Sequence, residues 1–263
     1  MDGLDKIIEA GQALADAKSV PGGTIPYAVV PVGAHIEELE RLLPAPARAR
    51  AAVTAKSAAT FNAYVVAFKT SATAIFADQE EFTLVGVIDY HLPETPAWGS
   101  HRVTYAAPRS LEWQTWRGSS GKKMAQADFA RFIEDNVVDI RSPAGADVLE
   151  VARGLQAQKS VQFVSAIRLS DGAQEFTYSE AVAGSTSKGK IKVPEEFKLG
   201  IPVFLGGDAY EVTARLRYRI NDGQLLLWYE IYRPEYIERD AFETVCDAAN
   251  KATAIAVWQG SPS

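Results

Sequence analysis

Apolar residues recur at helical spacing along much of the chain. The clearest stripe lies in the segment 124–140, where they fall at positions i, i+3, i+4, i+8 and i+11. This period buries one side of an amphipathic helix. The same period predicts helices over residues 4–18, 35–43, 57–70, 124–140, 143–155 and 234–253. We expect Ser142 to cap the fifth of these helices, with Pro143 at its first position.

Alternating apolar and polar residues predict strands between these helices. Strands over 72–77 and 81–91 are joined by the polar turn 78–80, and another strand covers 101–105. From Leu155 to Arg233 the pattern is strand-like, and two Asp-Gly pairs mark hairpin turns. Helices dominate the first half of the chain and strands the second. We therefore predict an α+β fold, an antiparallel sheet built from hairpins with packed amphipathic helices.

The segment 19–26, SVPGGTIP, separates the first helix from the rest of the chain, because its Pro and Gly residues are typical of a linker. We predict an N-terminal helical arm over 1–20 and a single α+β domain over 27–260. The arm docks either on its own domain or on a neighbouring subunit.

The hairpin around Asp222-Gly223 has a register that follows from its side chains. A two-residue turn places six apolar residues on one face: Leu216, Tyr218, Ile220, Leu225, Leu227 and Tyr229. The other face then carries Arg215, Arg217, Arg219, Leu226, Trp228 and Glu230. A slip of one residue would mix the two faces, so the two-residue turn is predicted.

Three interpretations of this arginine face are open. Proteins that bind single-stranded nucleic acid use guanidinium groups for phosphates and aromatic rings for base stacking. Alternatively, the face is solvated, with Arg217 stacked on Trp228 and Arg215 paired with Glu230. The third interpretation is an interface between subunits, where Arg and Trp are enriched.

Trp113 and Trp116 are three residues apart, so a helical turn would place both on one face. Two interpretations are open: a pair of core indoles, or a second binding surface together with Lys122 from the loop 118–123. That loop resembles a phosphate-binding loop in composition only, because neither its spacing nor a preceding strand fits.

Candidate metal ligands are Asp89, His91 and His101. Asp89 and His91 share one face of a predicted strand, and His101 follows ten residues after His91. A histidine–carboxylate set of this kind binds divalent metals, whereas the alternative is a structural role in hydrogen bonding. The sequence contains no GxSxG, GxxxxGK[ST], HExxH or strand–GxGxxG–helix motif. We therefore predict a protein that is not an enzyme and that needs no cofactor.

Charge and cysteine content narrow the function further. The formal charge of −6 argues against non-specific coating of nucleic acid. The single cysteine, Cys246, excludes an intramolecular disulfide and lies in a predicted helix as a buried thiol. The chain has no run of eighteen apolar residues and an acidic N-terminus. We expect no membrane span, no secretory signal and a cytoplasmic location.

Several segments resemble the YfdQ-like family of bacteriophage and prophage proteins. They are IFAD, VIDYH, WGSH, LEWQTW, MAQADFARFIEDNVVDI and IPVFLGGDAYEVTARLRYRINDGQLLLWYEIYRPE. The resemblance extends over roughly residues 36–260. It implies a phage early-region protein encoded near replication and recombination functions, and it supplies no catalytic residues.

We expect a phage- or prophage-derived accessory protein of the bacterial cytoplasm. It would form a homo-oligomer and act with replication or recombination machinery or with nucleic acid. The candidate binding residues are Arg215, Arg217, Arg219, Trp228, Trp113, Trp116 and Lys122. Two alternatives stay open: a metal-dependent enzyme that uses Asp89, His91 and His101, and a self-assembling structural protein.

Overall fold

The computed structural model of the protein describes residues 43–157, 162–182 and 185–262, together with residues 5, 7, 8, 11, 18, 19, 26 and 27. The chain divides into two compact units, Met1–Ala49 and Arg50–Ser263. In the first unit, the four described residues before residue 12 are helical and exposed. Strand β1 (Lys18–Ser19) pairs antiparallel with β2 (Pro26–Tyr27). The predicted arm over 1–20 and the helix over 35–43 lie mostly outside the described residues, and the predicted domain bounds stay a prediction.

In its described residues, the second unit contains five α-helices and thirteen strands. The helices are α1 (Ala58–Phe68), α2 (Leu111–Ser119), α3 (Gln126–Asp135), α4 (Gly145–Ala157) and α5 (Pro234–Thr253). The strands are β3 (Ala51–Thr54), β4 (Ala74–Asp78), β5 (Thr83–Val87), β6 (His101–Ala106), β7 (Met124–Ala125), β8 (Ile140–Ser142), β9 (Gln162–Arg168), β10 (Gln174–Val182), β11 (Ser185–Val193), β12 (Glu196–Pro202), β13 (Ala209–Asn221), β14 (Gln224–Ile231) and β15 (Val257–Gln259). The α+β fold predicted from the sequence is confirmed.

These strands form three sheets. One five-stranded sheet has the order β15-β4-β5-β6-β3, and its two edge strands run parallel to their neighbours. The other has the order β7-β14-β13-β12-β8 and is antiparallel throughout. A three-stranded antiparallel sheet, β11-β10-β9, completes the set. Hairpin pairing therefore dominates the fold, as the Asp-Gly turns indicate.

Serine side chains fix the starts of two helices. The Ser57 hydroxyl accepts a hydrogen bond from the Thr60 backbone N–H at the start of α1. The Ser110 hydroxyl does the same for Trp113 N–H at 2.9 Å, at the start of α2. Each bond satisfies one of the backbone donors that a helix leaves unpaired at its first turn.

One hydrophobic core joins the helices to the sheets of this unit. Its largest fully buried side chains include Trp113, Trp116, Tyr229, Phe61, Phe129 and Phe242. Helix α1 approaches β5 closely at Gly86, where a Cβ atom would lie 3.1 Å from side-chain atoms of Val65 and Val103. A glycine at this position therefore lets the helix pack directly on the sheet.

Two predicted helices differ from the structure at their ends. Helix α3 ends at Asp135, because the Asn136 side chain donates to the Phe132 carbonyl at 2.7 Å and the chain then enters a 3-10 turn. Ile140, the last residue of the predicted stripe, lies in strand β8 instead. It is buried there and pairs with Leu199 of β12. Ser142 ends that strand, and α4 begins at Gly145. The prediction that Ser142 caps this helix is wrong.

Candidate functional site

The hairpin formed by β13 and β14 has the register predicted from its sequence. Asp222 and Gly223 form a two-residue turn, with φ of 48° and 75°. Positive φ at both positions is typical of a type I′ turn, which matches the twist of paired strands. Arg215 lies opposite Glu230, Arg217 opposite Trp228 and Arg219 opposite Leu226. The opposite face packs into the core through the buried side chains of Leu216, Leu225, Leu227 and Tyr229.

The outer face of this hairpin is accessible to solvent. Arg215 and Arg219 are exposed, and the side chain of Arg217 keeps 42% of its area. We call this face, formed by Arg215, Arg217, Arg219 and Trp228, the arginine face. Its side chains are positioned by a sheet whose other side is buried, so the spacing of the arginines is set by the strand, about 7 Å between alternate residues.

Glu230 lies opposite Arg215, at one end of the arginine face. Its Oε2 accepts from Arg217 Nε at 3.2 Å, and its Oε1 accepts from Trp228 Nε1 at 3.2 Å. The prediction that Arg215 pairs with Glu230 is therefore wrong: the carboxylate points along its own strand to Trp228 and diagonally to Arg217. One carboxylate holds both side chains in place, and it partly neutralises the face.

The loop 118–123 lies beside β14. Gly121 N–H donates to the Tyr229 carbonyl at 2.8 Å, and β7 pairs with β14 directly after the loop. This pairing places Lys123 Nζ 5.3 Å from the centre of the Trp228 ring. The cation over this indole is Lys123 rather than Arg217, and sequence reasoning missed it because the contact joins segments far apart in the chain. Lys122 is exposed in the same loop.

Three further residues extend the cationic and aromatic pattern beyond β14. Arg215 Cζ lies 4.9 Å from the centre of the Tyr232 ring. Arg233 Cζ lies 5.1 Å from the same ring and 5.4 Å from the ring of Tyr236. The segment YRPEY carried a signal for this arrangement, since positions 232 and 236 are four residues apart and Pro234 starts a helix.

Trp113 and Trp116 belong to the core. Neither has exposed area, and their indole nitrogens donate hydrogen bonds of 2.8 Å to Glu238 Oε1 and Asp139 Oδ2 respectively. In this fold they form no binding surface, because helix α2 turns both indoles inward. Of the predicted second surface only Lys122 is exposed.

Asp89, His91 and His101 have separate partners. Asp89 accepts hydrogen bonds from His101 N–H at 2.8 Å and Ser100 N–H at 3.1 Å. His101 is buried, and its Nε2 lies 2.8 Å from the Tyr64 hydroxyl oxygen. His91 Nδ1 accepts from Ala97 N–H at 3.2 Å. In the part of the chain that the structure describes, no three His, Cys, Asp or Glu side chains are grouped to hold a metal ion.

Hydrogen bonding also sets the ionisation of Asp89. Burial alone would raise the pKa of this carboxyl, but the N–H groups of His101 and Ser100 lower it below the ordinary value. A carboxylate stabilised by backbone donors organises the 89–101 loop, which is a structural role. The metal-site prediction for these three residues has no support from the geometry.

The fold and site together define an α+β protein with an exposed, arginine-rich hairpin face. Residues 4–262 match the model of the uncharacterized conserved protein family DUF2303, so the chain belongs to this family. Searches of curated proteins and of solved structures found no match. Among the described helices, none is both long enough and apolar enough to cross a membrane. This family match says nothing of a YfdQ-like or phage origin, so that assignment stays a prediction.

Proposed function

We propose that this protein is a non-enzymatic accessory protein that binds single-stranded nucleic acid through the arginine face. The observation that carries the proposal is the placement of Arg215, Arg217 and Arg219 beside Trp228 on one accessible sheet face. Lys123 adds a cation 5.3 Å from the indole ring. Guanidinium groups bind phosphates, and an accessible indole stacks on an unpaired base.

Local charge, rather than net charge, drives this binding. The chain carries a formal charge of −6, so long-range attraction to a polyanion is absent and contact depends on the field of the arginine face. Arg219 is exposed and has no ion pair among the residues that the structure describes. Arg217 is already paired with Glu230 at 3.2 Å. A bound phosphate would first contact Arg219 and would compete with Glu230 for Arg217.

The test is a fluorescence anisotropy titration of a single-stranded oligonucleotide at several salt concentrations. Each phosphate contact to a single strand contributes about −0.7 to the slope of log K against log salt. We expect a slope of about −2 for the three arginines. Arg217→Glu and Arg219→Glu should each weaken binding about tenfold or more, because each replaces an attraction with a repulsion.

Lys56→Glu is the matched control. Lys56 is exposed in the connection between β3 and α1, and its replacement by Glu changes the charge by the same amount. It should leave affinity within about twofold. Urea unfolding of each variant separates loss of binding from loss of folding, since exposed substitutions change stability by only about 0.5 kcal/mol. Equal weakening by Lys56→Glu and Arg219→Glu would refute the arginine face as the site.

The cellular setting is part of the same proposal. We propose that the protein acts as a homo-oligomer with phage or prophage replication or recombination machinery in the bacterial cytoplasm. The sequence resemblance to YfdQ-like proteins supports this setting. Sedimentation of the purified full chain tests the assembly, and a stable monomer at micromolar concentration would contradict it.

A further inference from the structure

Two arginines from different elements share one aromatic ring. Arg215 belongs to β13, whereas Arg233 precedes α5, and both guanidinium carbons lie within 5.1 Å of the centre of the Tyr232 ring. Because both distances are measured to the centre of the same ring, the two guanidinium carbons are at most about 10 Å apart. Within the described residues, neither arginine forms an ion pair with a carboxylate. The pair is therefore a concentration of positive charge without a carboxylate partner among the described residues.

The tyrosine ring holds the two cations but does not neutralise them. A cation over an aromatic face is attracted to the ring, whereas the two guanidinium groups repel each other. Glu196 and Glu230 lie opposite Arg215 on the neighbouring strands, but among the described residues neither forms an ion pair with it. The Glu230 oxygens are engaged by Arg217 and Trp228. An anionic group bound by both arginines would remove the repulsion.

Backbone geometry fixes Arg233 in this arrangement. Its φ of 48° and ψ of 58° place it in the left-handed region, between Tyr232 and the first residue of α5. Few residues other than glycine and asparagine adopt that backbone conformation readily. Tyr236, one helical turn along α5, lies 5.4 Å from the same guanidinium and is 64% exposed. Tyr232 is 51% exposed, so the site is open to a large ligand.

We propose that Arg215 and Arg233 together bind one phosphate of a nucleic-acid strand and that Tyr236 stacks on an adjacent unpaired base. This inference rests on the proposed function, since Arg215 is also the end of the arginine face. It extends the path of the strand from the β13–β14 hairpin onto the start of α5. Arg233 is then a fourth arginine of the site and Tyr236 its second stacking ring, after Trp228.

The test uses the full chain, a fluorescent oligo-dT and an abasic oligonucleotide of the same length. Arg233→Asn keeps a residue suited to the left-handed backbone and removes the charge. Arg239→Gln is its control, because Arg239 is exposed in helix α5, which begins directly after Tyr232 and Arg233, and its replacement removes the same charge. Tyr236→Ala removes the stacking ring, and Tyr236→Phe retains it. A parallel titration with inorganic phosphate, at constant ionic strength, measures binding of the free anion.

We expect Arg233→Asn to weaken oligo-dT binding about fivefold or more and to reduce the salt slope by about 0.7, with no change for Arg239→Gln. Tyr236→Ala should weaken oligo-dT about fivefold or more but leave the abasic strand unaffected, whereas Tyr236→Phe should bind like the wild type. Inorganic phosphate should compete only at concentrations far above those of the strand.

Three results would overturn the inference. If Arg217→Glu and Arg219→Glu abolish binding while Arg233→Asn changes neither affinity nor slope, the arginine face stands and the added phosphate site fails. If Arg233→Asn removes binding of inorganic phosphate while the wild type binds no oligonucleotide, the pair is a site for free phosphate. If the wild type binds neither, the proposed function and this extension fail together.

Discussion

The Trp113 indole nitrogen donates a 2.8 Å hydrogen bond to Glu238 Oε1, which joins helix α2 to helix α5 inside the core. Arg109 Nε donates to the same oxygen at 2.7 Å. Glu238 is 7% exposed, and Trp113 is fully buried. A buried carboxylate is stable only when donors replace the water that it has lost. The Trp113 indole therefore supplies an N–H donor to Glu238 as well as apolar volume to the core.

Trp113→Phe should lower the free energy of unfolding by about 1–3 kcal/mol beyond its loss of apolar area, because it leaves Glu238 short of one donor. Urea unfolding monitored by circular dichroism measures the effect. Trp258→Phe is the matched control, since Trp258 is 62% exposed in β15. Equal stability of the two variants would show that the Trp113–Glu238 bond contributes nothing.

Asp89→Asn should destabilise the protein by about 1–3 kcal/mol at pH 7, because an amide cannot replace both carboxylate oxygens as acceptors for His101 and Ser100. The pKa of Asp89 is lowered in the folded state. Its contribution is therefore complete above the ordinary value of 3.8 and is lost as pH falls through the lower folded pKa. Urea unfolding of both proteins between pH 7 and pH 2 should show the gap closing only at the acidic end. A gap that is constant with pH would contradict the role of the charge.

Cys246 should not react with a thiol reagent at pH 8 while the protein is folded. Burial, followed by the charges of Asp247 and Glu243, raises the pKa of this thiol to about 11 from 9.0. The unfolded thiol ionises first as pH rises, so the Cys246 contribution to stability is complete below pH 9 and is lost between pH 9 and about 11. The free energy of unfolding of the wild type and of Cys246→Ala, compared across that pH range, isolates the contribution of the thiol. Rapid labelling of the folded protein at pH 8, at the rate seen in urea, would be inconsistent with a buried thiol.

Glu230→Gln should strengthen binding of single-stranded oligonucleotide several-fold. The change frees Arg217 from its carboxylate partner and removes a negative charge from the arginine face. Anisotropy titration at low salt gives the largest difference, because salt screens the repulsion. Glu211→Gln is the control: Glu211 is exposed on β13, the strand paired with that of Glu230, and forms an ion pair with Lys198 at 3.0 Å. If both variants bind the oligonucleotide like the wild type, the Glu230 charge does not weaken binding of nucleic acid.

The sequence predicted the hairpin well because its information is local. The alternation of residues and the Asp222-Gly223 turn set one register, and a slip would have buried arginines. Helices α1 and α5 were likewise predicted closely, since a serine cap and an N-terminal proline mark their starts. In these three elements, the periodicity agrees with the turn or cap residues.

Contacts between distant segments were not predictable in the same way. Nothing local to Lys123 indicates that β7 pairs with β14 and brings it to Trp228. The Trp113/Trp116 pair shows the converse: its spacing placed both on one face, but only tertiary packing decides whether that face meets solvent or core. Asp89 and His101 are close, but the bond between them runs from the His101 backbone N–H to the Asp89 carboxylate rather than through the imidazole ring.

The two-residue turn at Asp222-Gly223 makes the hairpin intolerant of changes in length. One residue inserted between the turn and β13 would exchange inward and outward positions along β13 and turn the arginines toward the core. Such an insertion removes the exposed cations without altering any of them. Loops elsewhere in the chain can lengthen at little cost, but the length of this two-residue turn determines whether the three arginines face solvent or the core.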